Sequence, residues 1–564
     1  MKFSFWLSIA LICTVGCSQK DNSPNYYSLV SMDSSSLWWN KAIFYEIWPR
    51  SFQDADGDGS GDFRGMISRL DYLKDLGING IWLTPIFEAP SYHGYDFKDF
   101  YKVESDYGTM SDFENFIQAS HNRGIKVILD LVLNHISDQH DWFIKSSGRE
   151  AGFEDYFIWQ DEIPAGWGKP WSSAVEPESV WHWNNTRRAY YYGAFGSSQP
   201  DLNLTQSVVV DELHKLASFW LSKGVDGFRL DAVRYAIEEG PYPLQADTKS
   251  TIDFWGNFAQ YVKSIKPDAL LVGEAWTGLD IVGRYRDGGN GLDAAFDFDF
   301  GYVMIDILNK QASKSADFGT LSSGSLTQNR ENLWMNLQNR IAAAPLQYFS
   351  PFLTNHDQNR IMFTLEDDES KAKIAASLLL TTPGTVYIYY GEEIGMTQFK
   401  TGDDQYRRAI MQWSEDNYSG FNSTGNFWLD QGQWFPWNTN HSGWWGDYWK
   451  SIQGKGKSVE SQIDNENSLL HHYKRLIRVR NENPALLSPT EIRYYPVDNE
   501  DVWVVENIGE KETIWVIINL SSSKESSFTA PKQLLGKHAD MLTKTERIVQ
   551  KNLTLSPMES LIFK

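Results

Sequence analysis

Three acids in this chain of 564 residues each follow a short apolar run. Asp231 comes after Gly227-Phe228-Arg229-Leu230, Glu274 after Leu271-Val272-Gly273, and Asp357 closes Phe352-Leu353-Thr354-Asn355-His356. Polar residues placed directly after buried strands are where a parallel barrel gathers its chemistry. Hydrolysis of a glycosidic bond needs one carboxyl kept protonated as general acid and a second ionised as nucleophile, with negative charge near the oxocarbenium-like transition state. Three acids on neighbouring strands meet that need. Arg229 lies two residues before Asp231, hence on the same face of a strand, and can hold that carboxylate ionised. Taken singly, each acid reads as a cap or an ion-pair partner; the constellation points to catalysis. A second cluster is Asp54-Ala55-Asp56-Gly57-Asp58-Gly59-Ser60-Gly61-Asp62. Oxygen-bearing residues at alternate positions, with glycines that let the chain wrap, suit a hard cation such as Ca²⁺. It begins like an EF-hand, but the twelfth position would be Gly65 where a bidentate Glu is required, and a solvated acidic turn is the plain alternative.

The elements that must position these groups alternate helix and strand. Ile67, Leu70, Leu73 and Leu76 have helical spacing, Gly77 is a helix stop, and Ile81-Trp82-Leu83 is a short apolar strand. Ser111 with Glu114 reads as a capping box for a helix bearing Phe113, Phe116 and Ile117, which stops at Gly124 before a strand from Val127 to Val132. Leu213, Leu216 and Trp220 precede Gly224 and the strand Gly227 to Leu230, and a later helix ends near Pro267 before Leu270-Leu271-Val272. Repeated units with buried strands predict an α/β fold, a (β/α)8 barrel in preference to an open parallel sheet. Residues 136–203 are too long and too rich in Trp and polar residues for an ordinary loop, which predicts an inserted domain. After Pro484, runs such as Val502-Trp503-Val504-Val505 and Ile514 to Ile518 predict a C-terminal antiparallel β-sandwich over 484–564. The barrel then takes 37–135 and 204–483.

With 51 Lys and Arg against 73 Asp and Glu, the net charge of −22 argues against nucleic acid or an anionic lipid surface as the main partner. The 24 Trp, 27 Tyr and 31 Phe often stand beside Asn, Asp and Gly, a mixture suited to stacking on sugar rings, although most should be core. Cys13 and Cys17 are the only cysteines, so the folded body has neither disulfide nor thiolate metal site. Lys2 and the apolar run Phe3 to Val15 read as a signal peptide over 1–16. Residues 17–36 read as a lipidated N-terminus and flexible tether.

Asp130-Leu131-Val132-Leu133-Asn134-His135, Gly227 to Val233, Gly273-Glu274-Ala275-Trp276 and Thr354-Asn355-His356-Asp357 resemble, in order, the four signature regions of the α-amylase family, glycoside hydrolase family 13. Gln199-Pro200-Asp201-Leu202-Asn203 resembles a fifth region found in oligo-1,6-glucosidase relatives. The resemblance runs from about Trp39 to the C-terminus and extends to lipoprotein amylases of Bacteroidetes starch-utilisation systems and to the oligo-1,6-glucosidase/neopullulanase group. It implies a retaining hydrolase of α-1,4-glucosidic bonds in starch-like glucans and maltooligosaccharides. The alternatives are an α-glucosidase, oligo-1,6-glucosidase or neopullulanase-like enzyme, or a non-catalytic glycan-binding relative. It implies Asp231 as nucleophile, Glu274 as acid/base and Asp357 as the acid that binds and distorts the reacting sugar, with Tyr95, Asp96, His135, Arg229, His356 and Arg360 around that sugar. It also implies one Ca²⁺ held by Asp54, Asp56, Asp58, the Ser60 carbonyl and Asp62. Asn134 matches a ligand of a different calcium site, but Tyr235 stands where His is usual. Ala232 replaces the Val common in relatives that cut α-1,6 bonds. Thr14-Val15-Gly16-Cys17 resembles a bacterial lipobox, implying an outer-membrane lipoprotein, surface-exposed and associated with a glycan-uptake complex; a secreted or periplasmic protein is the alternative.

Overall fold

The computed structural model describes residues 26–30, 37–309, 330–416, 418–430 and 455–564. The expected signal peptide and the lipidation residue Cys17 lie outside the described residues. Eight parallel strands form one sheet: β1 (Ile43–Ile47), β2 (Gly80–Leu83), β3 (Lys126–Leu131), β4 (Gly227–Leu230), β5 (Leu270–Gly273), β6 (Ala294–Asp297), β7 (Phe349–Pro351) and β8 (Val386–Tyr389). Each pairs with its sequence neighbour, β8 pairs with β1, and a parallel bridge from Phe352 to Tyr387 joins the two ends. The barrel is closed.

Strand alternation explains how the site arises. Ile43, Tyr45 and Ile47 point outward into the cluster shared with the helices, whereas Phe44 joins Trp82, Ile128, Leu270, Val272, Ala294 and Phe296 in an apolar plug inside the barrel. Two residues further along the same inward rows come Glu46 after Phe44, Asp130 after Ile128 and Glu274 after Val272. The lower barrel is thus filled and dry, and its carboxyl end is polar.

The helix Phe63–Leu76 is capped by Asp62, whose side chain accepts from Gly65 N, and it stops at Gly77 with φ of 96°. A Cβ at Gly77 would stand 2.6 Å from Ile477 Cγ2, so the left-handed turn and the close approach both require glycine. The next helix, Met110–His121, differs from the sequence expectation. Its capping box is Thr109 with Asp112, each side chain bonding the other's backbone N–H, which puts Ser111 and Glu114 inside the first turns. The motif occurs twice in overlapping register, and the earlier pair is the one that is bonded. Helices Ser207–Ser222 and Lys249–Ile265 precede β4 and β5 as expected.

Between β3 and the helix Ser207–Ser222 the chain forms a small three-stranded antiparallel sheet, with Ala189–Tyr192 between Trp159–Gln160 and Trp181–Asn184. Bridges from His135 to Asp201 and from Phe157 to Leu202 pin this insert to the barrel rim. The C-terminal region is built on a five-stranded antiparallel sheet. Val502, Val504, Trp515 and Ile517 face a layer containing Phe528, Leu553 and Leu555, while Trp503, Val505, Val516 and Ile518 pack toward the barrel. One outer strand of that sheet is Tyr27–Val30, paired with Glu491–Tyr494. The tether expected over 17–36 is corrected to that extent. Tyr27, Leu29 and their neighbours complete a sheet edge, with Tyr27 stacked on Tyr494 at 6.2 Å. Among the described residues, no helix is long and apolar enough to cross a membrane.

Candidate active site

Arg229, projecting inward from β4, is buried and organises the site. Its Nη1 donates to Asp130 Oδ1 and Asp231 Oδ1, each at 2.7 Å, and its Nη2 lies 3.0 Å from Glu274 Oε2. Asp231 and Glu274 directly follow β4 and β5, as the sequence predicts. Ala232, next after Asp231, is left-handed at φ 50°, ψ 35°, and its N–H donates to Glu274 Oε2 at 3.2 Å. A non-glycine residue there is strained, and the turn directs a backbone donor at the second acid.

Asp357 arrives differently. β7 ends at Pro351, so Phe352–Asp357 forms an extension beyond the strand instead of the strand itself. His356 anchors that extension: Nδ1 is 2.6 Å from Glu46 Oε1, and Nε2 lies 2.6 Å from Tyr95 Oη and 3.2 Å from Asp357 Oδ2. Tyr95 Oη in turn donates to Asp130 Oδ2 at 3.0 Å. On its other oxygen, Asp357 accepts from Arg408 Nη2 at 2.8 Å. The chain of bonds is continuous from Glu46 through His356, Tyr95 and Asp130 to Arg229 and the two acids.

Burial opposes charge on His356, yet Asp357 and Glu46 reverse this and raise it to about 10, so it is an imidazolium donating from both nitrogens. Burial would also raise Asp357, but His356 and Arg408 override it and hold that carboxyl far below the usual range. Burial raises Asp231 to about 6 against the pull of Arg229. Burial, with the Asp231 and Asp357 charges, carries Glu274 to about 7 despite Arg229. The two carboxyls therefore separate in the order that hydrolysis requires, with Glu274 the better proton donor. With Glu274 protonated, the Asp231 and Asp357 carboxylates, held by Arg229, His356 and Arg408, present negative charge to a developing oxocarbenium ion.

The remaining expected residues divide. Tyr95 belongs to the network and stacks on His356 at 5.6 Å. Asp96 is buried beside it, bonded by the Ser91 hydroxyl, and burial pushes it up to about 7. His135 is buried, lowered to about 3 by that burial and therefore neutral, with Gln199 Nε2 at 3.1 Å from its Nε2. Arg360 is the exception. Its guanidinium donates to the Tyr390 carbonyl at 2.7 Å and the Arg407 carbonyl at 2.9 Å, between the rings of Tyr389 and Tyr390. It braces the loop after β8, and the arginine bonded to Asp357 is Arg408. Sequence reasoning missed Arg408, Glu46 and Asp130. Glu46 and Asp130 carried a signal, being acids in otherwise apolar strands; Arg408 sits in a loop with no periodicity to mark it.

In the acidic loop, carboxylate oxygens of Asp54, Asp56 and Asp58 come within 4.8 Å of one another. Burial and the neighbouring Asp56 and Asp54 charges raise Asp58 to about 6, the mark of crowded negative charge. Asp54 and Asp62 also order the backbone, Asp54 accepting from Gly57 N at 2.6 Å and Gly59 N at 2.9 Å, and Asp62 from Gly65 N at 2.8 Å as the helix cap and from Ala55 N at 2.6 Å; Asp62 lies outside the cluster of Asp54, Asp56 and Asp58. Ser60 Oγ accepts from Arg50 at 3.0 Å, leaving its carbonyl as the group a cation would use. Asn134 donates its amide to Asp201 at 3.0 Å.

A closed parallel barrel, with an arginine-linked carboxyl pair on β4 and β5 and a third acid beyond β7, defines a glycoside hydrolase. The chain belongs to the α-amylase family: residues 46–488 match the family model "Alpha amylase, catalytic domain". "Alpha-amylase 3" of Dictyoglomus thermophilum is 35% identical, with 93% of this chain and 94% of that protein covered. An oligo-1,6-glucosidase of Bacillus cereus is 30% identical over 93% of this chain and 99% of its own length. Among solved structures, the α-amylase from H. orenii superposes with a TM-score of 0.74 at 32% identity, covering 93% of this chain and 99% of that one.

Proposed function

We propose that this enzyme hydrolyses α-1,4-glucosidic bonds in starch-like glucans and maltooligosaccharides with retention of anomeric configuration. The observation that carries the retaining mechanism is the Arg229 guanidinium, which grips both Asp231 and Glu274. That grip keeps the pair close, in the sense of the roughly 5–5.5 Å carboxyl separation of retaining enzymes, where one carboxylate attacks the sugar directly. Asp231 attacks the anomeric carbon as Glu274 protonates the departing oxygen. Glu274 then takes a proton from water as that water displaces Asp231. Asp357, fixed by His356 and Arg408, holds the reacting ring's hydroxyls.

The preference for α-1,4 bonds is supported by Ala232, whose small side chain is buried beside Asp231 and leaves room for a directly linked leaving ring. The alternative is α-1,6 action on short branched oligosaccharides, favoured by the Gln199–Asn203 stretch that contacts His135. Kinetics on maltotriose against isomaltotriose decide between them: kcat/KM is expected to be higher on maltotriose, and the reverse order would establish the α-1,6 reading. The acidic loop fits Ca²⁺ by its donor set, hard oxygens of Asp54, Asp56 and Asp58 with the Ser60 carbonyl; Asp62 serves the same loop by capping the following helix. The ion would neutralise the loop and take no part in bond cleavage. Cys17 is read as a lipid attachment point that places the enzyme on the outer membrane, where polymers too large for pores are met. Cys17→Ala is expected to move the protein from membrane to soluble fractions, and wild-type protein that is already soluble in its native cell would refute the anchor.

A further inference from the structure

Arg408 reaches Asp357 from a loop, and the contacts that aim it begin at a residue outside the substrate's reach. Its Nη2 donates to Asp357 Oδ1 at 2.8 Å and its Nε to the His356 carbonyl at 3.1 Å. The guanidinium lies 4.4 Å from the Trp48 ring centre, and its Nη1 donates to Tyr92 Oη at 3.3 Å. Tyr92 is in turn stacked on Trp428, with ring centroids 5.4 Å apart and 19° between the planes. The same indole also reaches the main chain of Arg408. Trp428 Nε1 donates to Ser51 Oγ at 2.9 Å, and Ser51 Oγ donates to the Arg408 carbonyl at 2.6 Å. Ser51 lies in the short helix Pro49–Phe52 after β1, and its own carbonyl accepts from Met411 N at 2.8 Å. One indole thus serves both ends of the arginine, its face through Tyr92 and its N–H through Ser51.

Trp428 is fully buried, so it meets no substrate. It opens the short helical turn Trp428–Asp430, and its segment is fastened to the acidic loop. Trp428 N donates to the Gly59 carbonyl at 2.8 Å, Thr424 Oγ1 to the Gly57 carbonyl at 2.8 Å, and Asn422 Nδ2 to Asp54 Oδ2 at 2.9 Å. Arginine gives up much rotamer freedom when it is ordered, so a guanidinium tied at one end only would spend part of its time off its partner. Holding the carbonyl and the guanidinium from one rigid ring keeps Nη2 on Asp357.

We propose that Trp428 is a positioning residue for the hydrolytic reaction: acting through Tyr92 and Ser51, it fixes Arg408 and thereby the Asp357 carboxylate that holds the reacting ring. This rests on the reading of Asp357 given above, not on the choice between α-1,4 and α-1,6 bonds. The test is a double-mutant cycle of Trp428→Leu with Arg408→Met, alongside Trp428→Phe and Ser51→Ala, on whichever of maltotriose and isomaltotriose the wild type cleaves faster. Rates are taken per active site titrated with 5-fluoroglucosyl fluoride, so that a smaller folded fraction does not count as a loss. Trp428→Leu removes both the stack and the N–H. It is expected to lose about tenfold in kcat/KM, through kcat and KM together as in Arg408→Met, and less than about twofold more in the Arg408→Met background. Trp428→Phe keeps the stack and Ser51→Ala keeps the indole, and each should lose roughly three- to fivefold. Losses that add in the double variant, or single variants all within about twofold of wild type, would overturn the brace. Asp357→Asn with near-normal turnover would overturn the reading of Asp357, and the brace with it.

Discussion

The separation between Asp231 at about 6 and Glu274 at about 7 fixes a pH profile. Productive enzyme carries Asp231 ionised and Glu274 protonated. Lowering pH through about 6 protonates the nucleophile, and raising it through about 7 removes the acid, so kcat/KM falls on both sides of a maximum near 6.5. Treating the two as independent, about 60% of the enzyme is productive at the maximum and about 3% two pH units above it, a loss of roughly 20-fold. The assay is kcat/KM against pH on maltotriose for the wild type. It is repeated on α-glucosyl fluoride, whose leaving group departs without an acid, for the wild type and Glu274→Gln. The alkaline limb on maltotriose should vanish in Glu274→Gln acting on the fluoride, while the acid limb stays near 6. An alkaline limb that persists in this variant would show that a group other than Glu274 sets it and would refute Glu274 as the residue titrating near 7.

Asp231→Asn should reduce turnover of maltotriose by orders of magnitude with unchanged circular dichroism, and a 5-fluoroglucosyl fluoride adduct should map to the wild-type peptide containing Asp231. Arg408→Met removes the cation bonded to Asp357 and should raise KM and lower kcat together on maltotriose. A variant within twofold of wild type in both would show that the Arg408 contact does not position that acid. Chelation should lower Tm by roughly 2–5 °C, with elemental analysis giving one Ca²⁺ per chain beforehand; unchanged Tm in metal-free protein would remove the loop from the account. Ala232→Gly relieves the Cβ strain of a left-handed turn at φ 50° and should leave stability unchanged or raise it by up to about 1 kcal/mol, as read by denaturant midpoints; a clear loss would show the turn is not strained.

How far the sequence could be read depended on whether local periodicity carried the information. Strands β2 to β5 stood out as apolar runs after helical stripes, and Asp231 and Glu274 followed directly because their strands end where the runs end. Asp357 was found by its motif although its strand was misplaced: β7 is only Phe349–Pro351, and its chain partners are chosen by barrel closure, which no local pattern encodes. Arg360 and Arg408 illustrate the limit. Both are buried arginines near the site, and which one reaches Asp357 depends on the path of the loop after β8. The capping box at Thr109 shows the same limit on a smaller scale, since two overlapping motifs fit equally and hydrogen-bond geometry selects one.

The strand Tyr27–Val30 closes one edge of the C-terminal sheet. Its backbone pairs along one side only, with Glu491–Tyr494. Those four residues are also held by side chains, with Tyr27 against Trp334 and Tyr494 and Ser28 Oγ donating to Glu491 at 2.6 Å. Deleting the strand would bare the edge of Glu491–Tyr494, a row of unpaired backbone groups open to pairing with another molecule.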